Sequence, residues 1–169
     1  MDSRLKVYIE TSFVSYLTGR PTTKEPIVSW QAASRQWWAA VAPSCDLFVS
    51  EHVWNEIQDG AATNVAQRED VIRDIPSLDG SLAKIDEVAG ILMTAHAIPQ
   101  NEVTDAYHIA TAAYYGMDVL LTWNCKHMAN EFTLPKTYGV LRDAGLKCPV
   151  IITPKRYMED EHGIRNANG

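Results

Sequence analysis

The stretch from Glu102 to His127, EVTDAYHIATAAYYGMDVLLTWNCKH, constrains the fold of this chain more than any other. Its first half carries the spacing of a helix. Asp105 and His108 are three apart and share one face with Ile109 and Ala112. Ala106, Ala110 and Ala113 are small enough for that helix to lie close against a sheet. Gly116 suits the left-handed position that ends a helix, and Val119-Leu120-Leu121 is the short apolar run of a central strand. Thr122-Trp123-Asn124 then falls at that strand's carboxyl end, where open α/β sheets bind their ligands.

The rest of the chain repeats the alternation. Lys6 to Ile9 is a β-prone run leading into Glu10-Thr11-Ser12, and Phe13 to Leu17 is expected to form a first helical turn. Ser29 is expected to cap a helix over Trp30 to Val41, whose Trp30, Trp37 and Trp38 face reads as core or dimer interface before base-stacking platform. Cys45 to Val49 reads as a second strand, and Ser50 as the cap of a helix that carries Glu56 beside its buried ridge. A polar helix over 61–74 and a short extended segment at 76–78 follow. Leu82, Ile85, Val88, Ala89, Leu92 and Met93 then recur at helical spacing between Leu78 and Ala97. A turn of helix over 126–130, a helix over 136–144 after Pro135, a last strand at Val150 to Ile152 and a helix capped by Thr153 complete the pattern. Strands alternating with helices predict a three-layer α/β/α sandwich around a mostly parallel sheet.

At 169 residues, 46% of them hydrophobic, the chain can bury one sizeable core. We expect a single domain over 1–157 and a polar tail over 158–169. No apolar run is long enough for a bilayer, and MDSRLKVYIE lacks the apolar middle of a signal peptide. Cys45, Cys125 and Cys148 are odd in number and widely spaced, as expected of reduced core thiols in a cytoplasmic protein. A net charge of −6 argues against coating nucleic acid through bulk positive potential, but leaves room for a basic rim around an acidic pocket.

Three acids occupy comparable places in this plan: Glu10 after the first strand, Glu56 on one helix and Asp105 on another. Asn124 can bring a neutral oxygen to the same cleft. Gathered carboxylates repel one another unless a cation neutralises them, and Mg²⁺ prefers oxygen ligands. A cation held there can lower the pKa of water and stabilise an in-line phosphoryl displacement. Paired His or Cys spacing for zinc is absent, as is a G-x-S-x-G nucleophile turn. A phosphoacceptor receiver is excluded because Val49-Ser50-Glu51 offers no Asp at the end of a middle strand.

The segments Y-I-E-T-S-F, S-E-H-V-W-N-E-I, T-D-A-Y-H-I-A-T-A and D-V-L-L-T-W-N-C-K-H, in this order and with helix-length gaps, resemble the PIN-domain family. That family includes the VapC-type toxin ribonucleases of toxin–antitoxin pairs. The resemblance runs from Val7 to about Pro154 and implies a Mg²⁺- or Mn²⁺-dependent endoribonuclease with an acidic cleft. It implies that Glu10, Glu56, Asp105 and Asn124 form the catalytic and metal-binding set, supported by Thr11, Ser12, Thr122 and His108. It also implies an RNA substrate and a cognate antitoxin. Separately, an apolar helix face leads us to expect a homodimer, and the lack of a long apolar run leads us to expect no membrane association. Two positions depart from the family pattern: Glu10 stands for the first Asp, and Asn124 for the fourth acid. These departures keep a second reading open, a catalytically silent PIN-like module that binds RNA or a protein. His108 could touch substrate or a carboxylate, or be a buried, hydrogen-bonded core histidine. Lys126 and His127 could contact phosphate or cap a turn, and Asp118 reads as a turn residue at the far end of its strand.

Overall fold

A computed structural model describes residues 3–160. Its centre is strand β1 (Lys6–Ile9), in which Val7, Tyr8 and Ile9 are fully buried. Burial on both sides explains why this strand is continuously apolar. It is flanked by β2 (Asp46–Ser50) and β4 (Val119–Leu121), with β3 (Ser77–Leu78) and β5 (Val150–Ile152) at the edges. The order is β3-β2-β1-β4-β5 and every pairing is parallel. Helices α1 (Thr11–Thr18), α2 (Ile27–Ala40), α3 (Glu51–Glu56), α4 (Ala62–Ile72), α5 (Ala83–Thr94), α6 (Val103–Tyr114), α7 (Leu134–Asp143) and α8 (Pro154–Glu159) complete the α/β/α sandwich.

This order decides where a site can form. The chain runs outward from β1 through β2 to β3, then crosses back to lay β4 on the other side of β1. Connections therefore diverge between β1 and β4 and leave a crevice above their carboxyl ends. Ile9 is level with Leu121, and Glu10 N–H donates to Leu121 O at 3.1 Å. Glu10 and Thr122 thus leave the sheet side by side. Asp118 sits at the opposite end of β4, where it accepts from Lys6 N–H at 2.8 Å and pairs with Lys147.

Several element boundaries differ from expectation. Helix α2 starts at Ile27 behind Pro26, and Ser29 does not cap it; its hydroxyl donates to Glu25 one turn back. Helix α5 starts only at Ala83, because Leu78 pairs with Ser50 in the sheet and Asp79 Oδ1 then accepts from Ser81 N–H at 2.9 Å ahead of the helix. Residues 125–128 form turns in place of the expected helical turn, and α7 takes Pro135 into its first turn. Helix α8 ends at Glu159, and residues 161–169 of the expected tail lie outside the described residues. Cys45 is buried and Cys148 half-buried, but Cys125 is exposed and is no core thiol. On the tryptophan face of α2, Trp37 is fully buried in the core against Phe13 and Trp38 packs on the core, while half-buried Trp30 stacks on Trp123.

Candidate active site

Glu10 is the most enclosed carboxylate of the crevice, 4% exposed. Its extended backbone makes it the N-cap of α1, and its Oε2 accepts from Ser12 N–H at 3.1 Å. The same oxygen accepts from the Ser12 hydroxyl and, at 2.7 Å, from the Thr122 hydroxyl. Ser12 Oγ in turn accepts from Trp123 N–H at 2.8 Å, and Thr122 Oγ1 from Asn124 N–H at 3.0 Å. Start of α1 and end of β4 are thereby tied through one carboxylate oxygen. The extra methylene of Glu over Asp lets the side chain loop back onto its own helix. Its other oxygen, Oε1, accepts no hydrogen bond among the described residues and faces His108 Nε2 at 3.9 Å.

Glu56 ends α3 and reaches the crevice from the β2 side. Its Oε1 accepts from the Thr11 hydroxyl at 2.7 Å and lies 2.5 Å from His108 Nε2. His108, on the inner face of α6, is fully buried. Its Nδ1 is hydrogen-bonded to the Tyr8 hydroxyl at 2.6 Å, and that hydroxyl to Ser50 Oγ at 2.7 Å. Ser50 Oγ also caps α3 by accepting from His52 N–H at 3.2 Å. A polar chain therefore runs from the cap of α3 through the core to the carboxylates. Burial works to raise the pKa of Glu56, but the hydrogen bond and charge of His108, with Thr11, outweigh it and hold it low. Burial also works to lower the His108 pKa, and Glu56, Glu10 and Asp105 together raise it instead. The hydrogen bond and electrostatic attraction between His108 and these acids thus offset the repulsion among the carboxylates. Burial pushes the Tyr8 phenol well above its ordinary value, so it remains a neutral hydrogen-bonding link.

Asp105, in the first turn of α6, faces the same crevice. Its Oδ2 accepts from Asn124 Nδ2 at 2.9 Å. Partial burial and the negative charge of Glu10 raise its pKa to about 6, against the lowering effect of the Asn124 bond. Asn124 Oδ1 accepts from His127 N–H at 2.9 Å, closing the turn after β4, and His127 Nε2 lies 3.5 Å from Glu102.

Two groups of possible metal ligands result. Donor atoms of Glu10, Glu56 and His108 lie within 4.8 Å of one another, as do those of Glu102, Asp105 and His127. Sequence reading placed Asp105 in one set with Glu10 and Glu56; the fold sets it in the neighbouring group, coupled to Glu10 through charge. Asn124 holds Asp105 with its nitrogen and the backbone with its oxygen. Thr11, Ser12 and Thr122 each donate a hydroxyl hydrogen bond to an acid. Tyr8 and Ser50 were missed as partners of His108. Strand alternation holds the signal for Tyr8, because residues two apart face the same side and Glu10 follows it by two.

The donor set fits a divalent cation. Each of the three acids has one oxygen tethered by a protein donor. Glu10 Oε1, Glu56 Oε2 and Asp105 Oδ1 accept no hydrogen bond among the described residues. Hard oxygens held from behind in this way are what Mg²⁺ or Mn²⁺ requires.

Comparison with known proteins bears on the fold and the family. The structure is similar to VapBC2 from Rickettsia felis, solved bound to a DNA fragment from their promoter. The TM-score is 0.56 and the identity 12%, over 88% of this chain and 98% of that one. It is also similar to VapC20 of Mycobacterium tuberculosis, a sarcin–ricin loop cleaving toxin. Here the TM-score is 0.55 and the identity 16%, over 76% of this chain and 94% of that one. At such identities these likenesses speak for the fold alone. No curated protein matches the chain. The model of the PIN domain matches residues 7–124, a span that begins in β1, takes in every acid of the crevice and ends on Asn124. By that match over most of its length, the chain belongs to the PIN-domain family.

Proposed function

We propose that this protein is a metal-dependent endoribonuclease that hydrolyses RNA phosphodiester bonds as the toxin of a type II toxin–antitoxin pair. One observation carries the reading. Glu10, Glu56 and Asp105 converge on the switch point of the sheet, each held by one oxygen with the other left open. A bound Mg²⁺ or Mn²⁺ would neutralise these acids, lower the pKa of water and stabilise the charge that builds on the phosphate. Glu10 and Glu56 would hold one such ion, and Asp105, in the neighbouring group, would hold a second. Ser12, Thr122 and Thr11 keep the first two acids from rotating away, and Asn124 aims Asp105. Asn124 is then a positioning residue more than a ligand. The resemblance to VapC toxins supports the toxin role, with the homodimer and the cytoplasmic location expected from sequence. No described helix is long and apolar enough to cross a membrane.

The test is cleavage of single-stranded RNA in Mn²⁺ by wild type and Asp105→Asn. Cleavage by wild type alone is expected; equal cleavage by both would sink the assignment. Co-purification of the product of a small reading frame just upstream would identify the antitoxin. A silent PIN-like module is the second reading. It is favoured by His108, which already engages Glu56, and by Asn124, whose amide is engaged at both ends. Calorimetric titration decides between them, since a silent module takes up no Mn²⁺ at millimolar concentration.

A further inference from the structure

We infer that His108 is itself a metal ligand, so that this PIN site is a mixed carboxylate–imidazole centre that selects Mn²⁺ and later transition metals over Mg²⁺. The inference rests on the metal-site reading proposed above and deepens it. Its first ground is distance. His108 Nε2 lies 3.9 Å from Glu10 Oε1 and 2.5 Å from Glu56 Oε1, and the three donor atoms fall within one 4.8 Å group. With metal–ligand bonds of about 2.1 Å, neighbouring donors around an octahedral ion stand roughly 3.0 Å apart and opposite ones roughly 4.2 Å. The Glu10–His108 separation already falls in that range. The Glu56–His108 separation needs only to open by about half an ångström.

The second ground is an independent one. Glu10 is 4% exposed, yet its Oε1 accepts no hydrogen bond among the described residues and is aimed at Nε2. A carboxylate oxygen that faces a ring nitrogen and has no protein donor of its own is open to a cation shared with that nitrogen.

The third ground is the support behind the ring. Ligating histidines usually donate their other ring N–H to a fixed acceptor, which sets the tautomer and orients the lone pair. Here Nδ1 meets the Tyr8 hydroxyl at 2.6 Å, and that hydroxyl meets Ser50 Oγ at 2.7 Å. With a cation on Nε2, Nδ1–H donates to Tyr8 and the Tyr8 O–H donates to Ser50. The proton formerly shared with Glu56 leaves to solvent. An imidazole nitrogen adds little for Mg²⁺, which prefers oxygen, and raises affinity along the series from Mn²⁺ towards Ni²⁺.

Pulsed electron paramagnetic resonance of the Mn²⁺-loaded full chain tests this directly. Wild type is expected to show ¹⁴N modulation from a coordinated imidazole and to bind Mn²⁺ at least about tenfold more tightly than Mg²⁺. His108→Gln should lose the modulation and most of that preference. Tyr8→Phe should keep the modulation but weaken Mn²⁺ binding by about tenfold. Should His108→Gln fail to fold, His127→Gln decides, because the modulation must survive that change. Absence of ¹⁴N modulation in wild type, its persistence in His108→Gln or its loss in His127→Gln would each overturn the inference. RNA cleavage by the same preparation separates it from the nuclease reading. Cleavage without nitrogen modulation rejects only the imidazole ligand; modulation without cleavage rejects only the nuclease.

Discussion

At the scale of single residues, the crevice stores electrostatic conflict that a cation would relieve. Asp105 carries it most clearly, since its pKa is raised from an ordinary 3.8 to about 6 by burial and by Glu10. An acid with a raised pKa binds its proton more tightly folded than unfolded. Its effect on stability is therefore nil well below pH 4 and becomes a loss as pH rises towards 6. Asp105→Asn removes that loss and keeps an oxygen for Asn124 Nδ2. The metal-free variant should be more stable than wild type at pH 7.5 by about 1 kcal/mol, discounted for partial exposure, and equal to it at pH 4. Urea titrations at the two pH values check this. Cleavage of RNA by the variant should fall by about a hundredfold or more, the usual pattern when a functional group is held against stability. Ser12→Ala should act in the opposite sense. It strips a donor from Glu10 and leaves Trp123 N–H without its acceptor, so it should cost about 1–3 kcal/mol at any pH.

At the scale of elements, what could be read from the sequence follows from how each side chain earns its place. The positions of Glu10, Glu56 and Asp105 along the crevice were legible because strand ends and helix faces are set by local periodicity. Their division into two neighbouring groups was not, because it depends on how far α6 slides along the sheet. The Tyr8–His108 bond joins positions 100 residues apart in the chain, and no local pattern encodes it. Helix starts shifted where a proline replaced the expected cap, as at Pro26, or where sheet pairing took the first residues of the helical spacing, as at Leu78. Gly116 was legible in full, because only its local conformation matters. Its φ of +66° ends α6, and Met117 N–H returns to Ala112 O at 2.9 Å before β4 begins. Gly116→Ala meets no steric obstacle but must adopt the left-handed conformation. A cost of about 1 kcal/mol is expected, lowering the melting temperature by about 2–4 °C. RNA cleavage at a temperature well below the transition should be unaffected.

For the whole molecule, the question is how a chain of net charge −6 keeps an acidic crevice folded before any cation arrives. The Glu56–His108 pair supplies the answer, and its sign can be worked out. Glu56 has a lowered pKa, so its contribution is present above its ordinary 4.5 and is lost as pH falls through the folded value. His108 has a raised pKa, so its contribution is complete below its ordinary 6.5 and is lost as pH rises through the folded value. Asp105 adds a loss that grows up to about pH 6. Metal-free protein should therefore be folded at neutral pH in the presence of chelator, and more stable near pH 5.5 than at pH 8.5. A cation that competes with protons for the same groups reverses the preference. At a hundred times its dissociation constant it adds about 2.7 kcal/mol, or roughly 5–10 °C in melting temperature for a chain of this size. Scanning calorimetry with chelator and with a fixed Mn²⁺ concentration should give a larger shift at pH 8.5 than at pH 5.5. An equal shift at both would mean that the ion binds somewhere other than among Glu10, Glu56, His108 and Asp105.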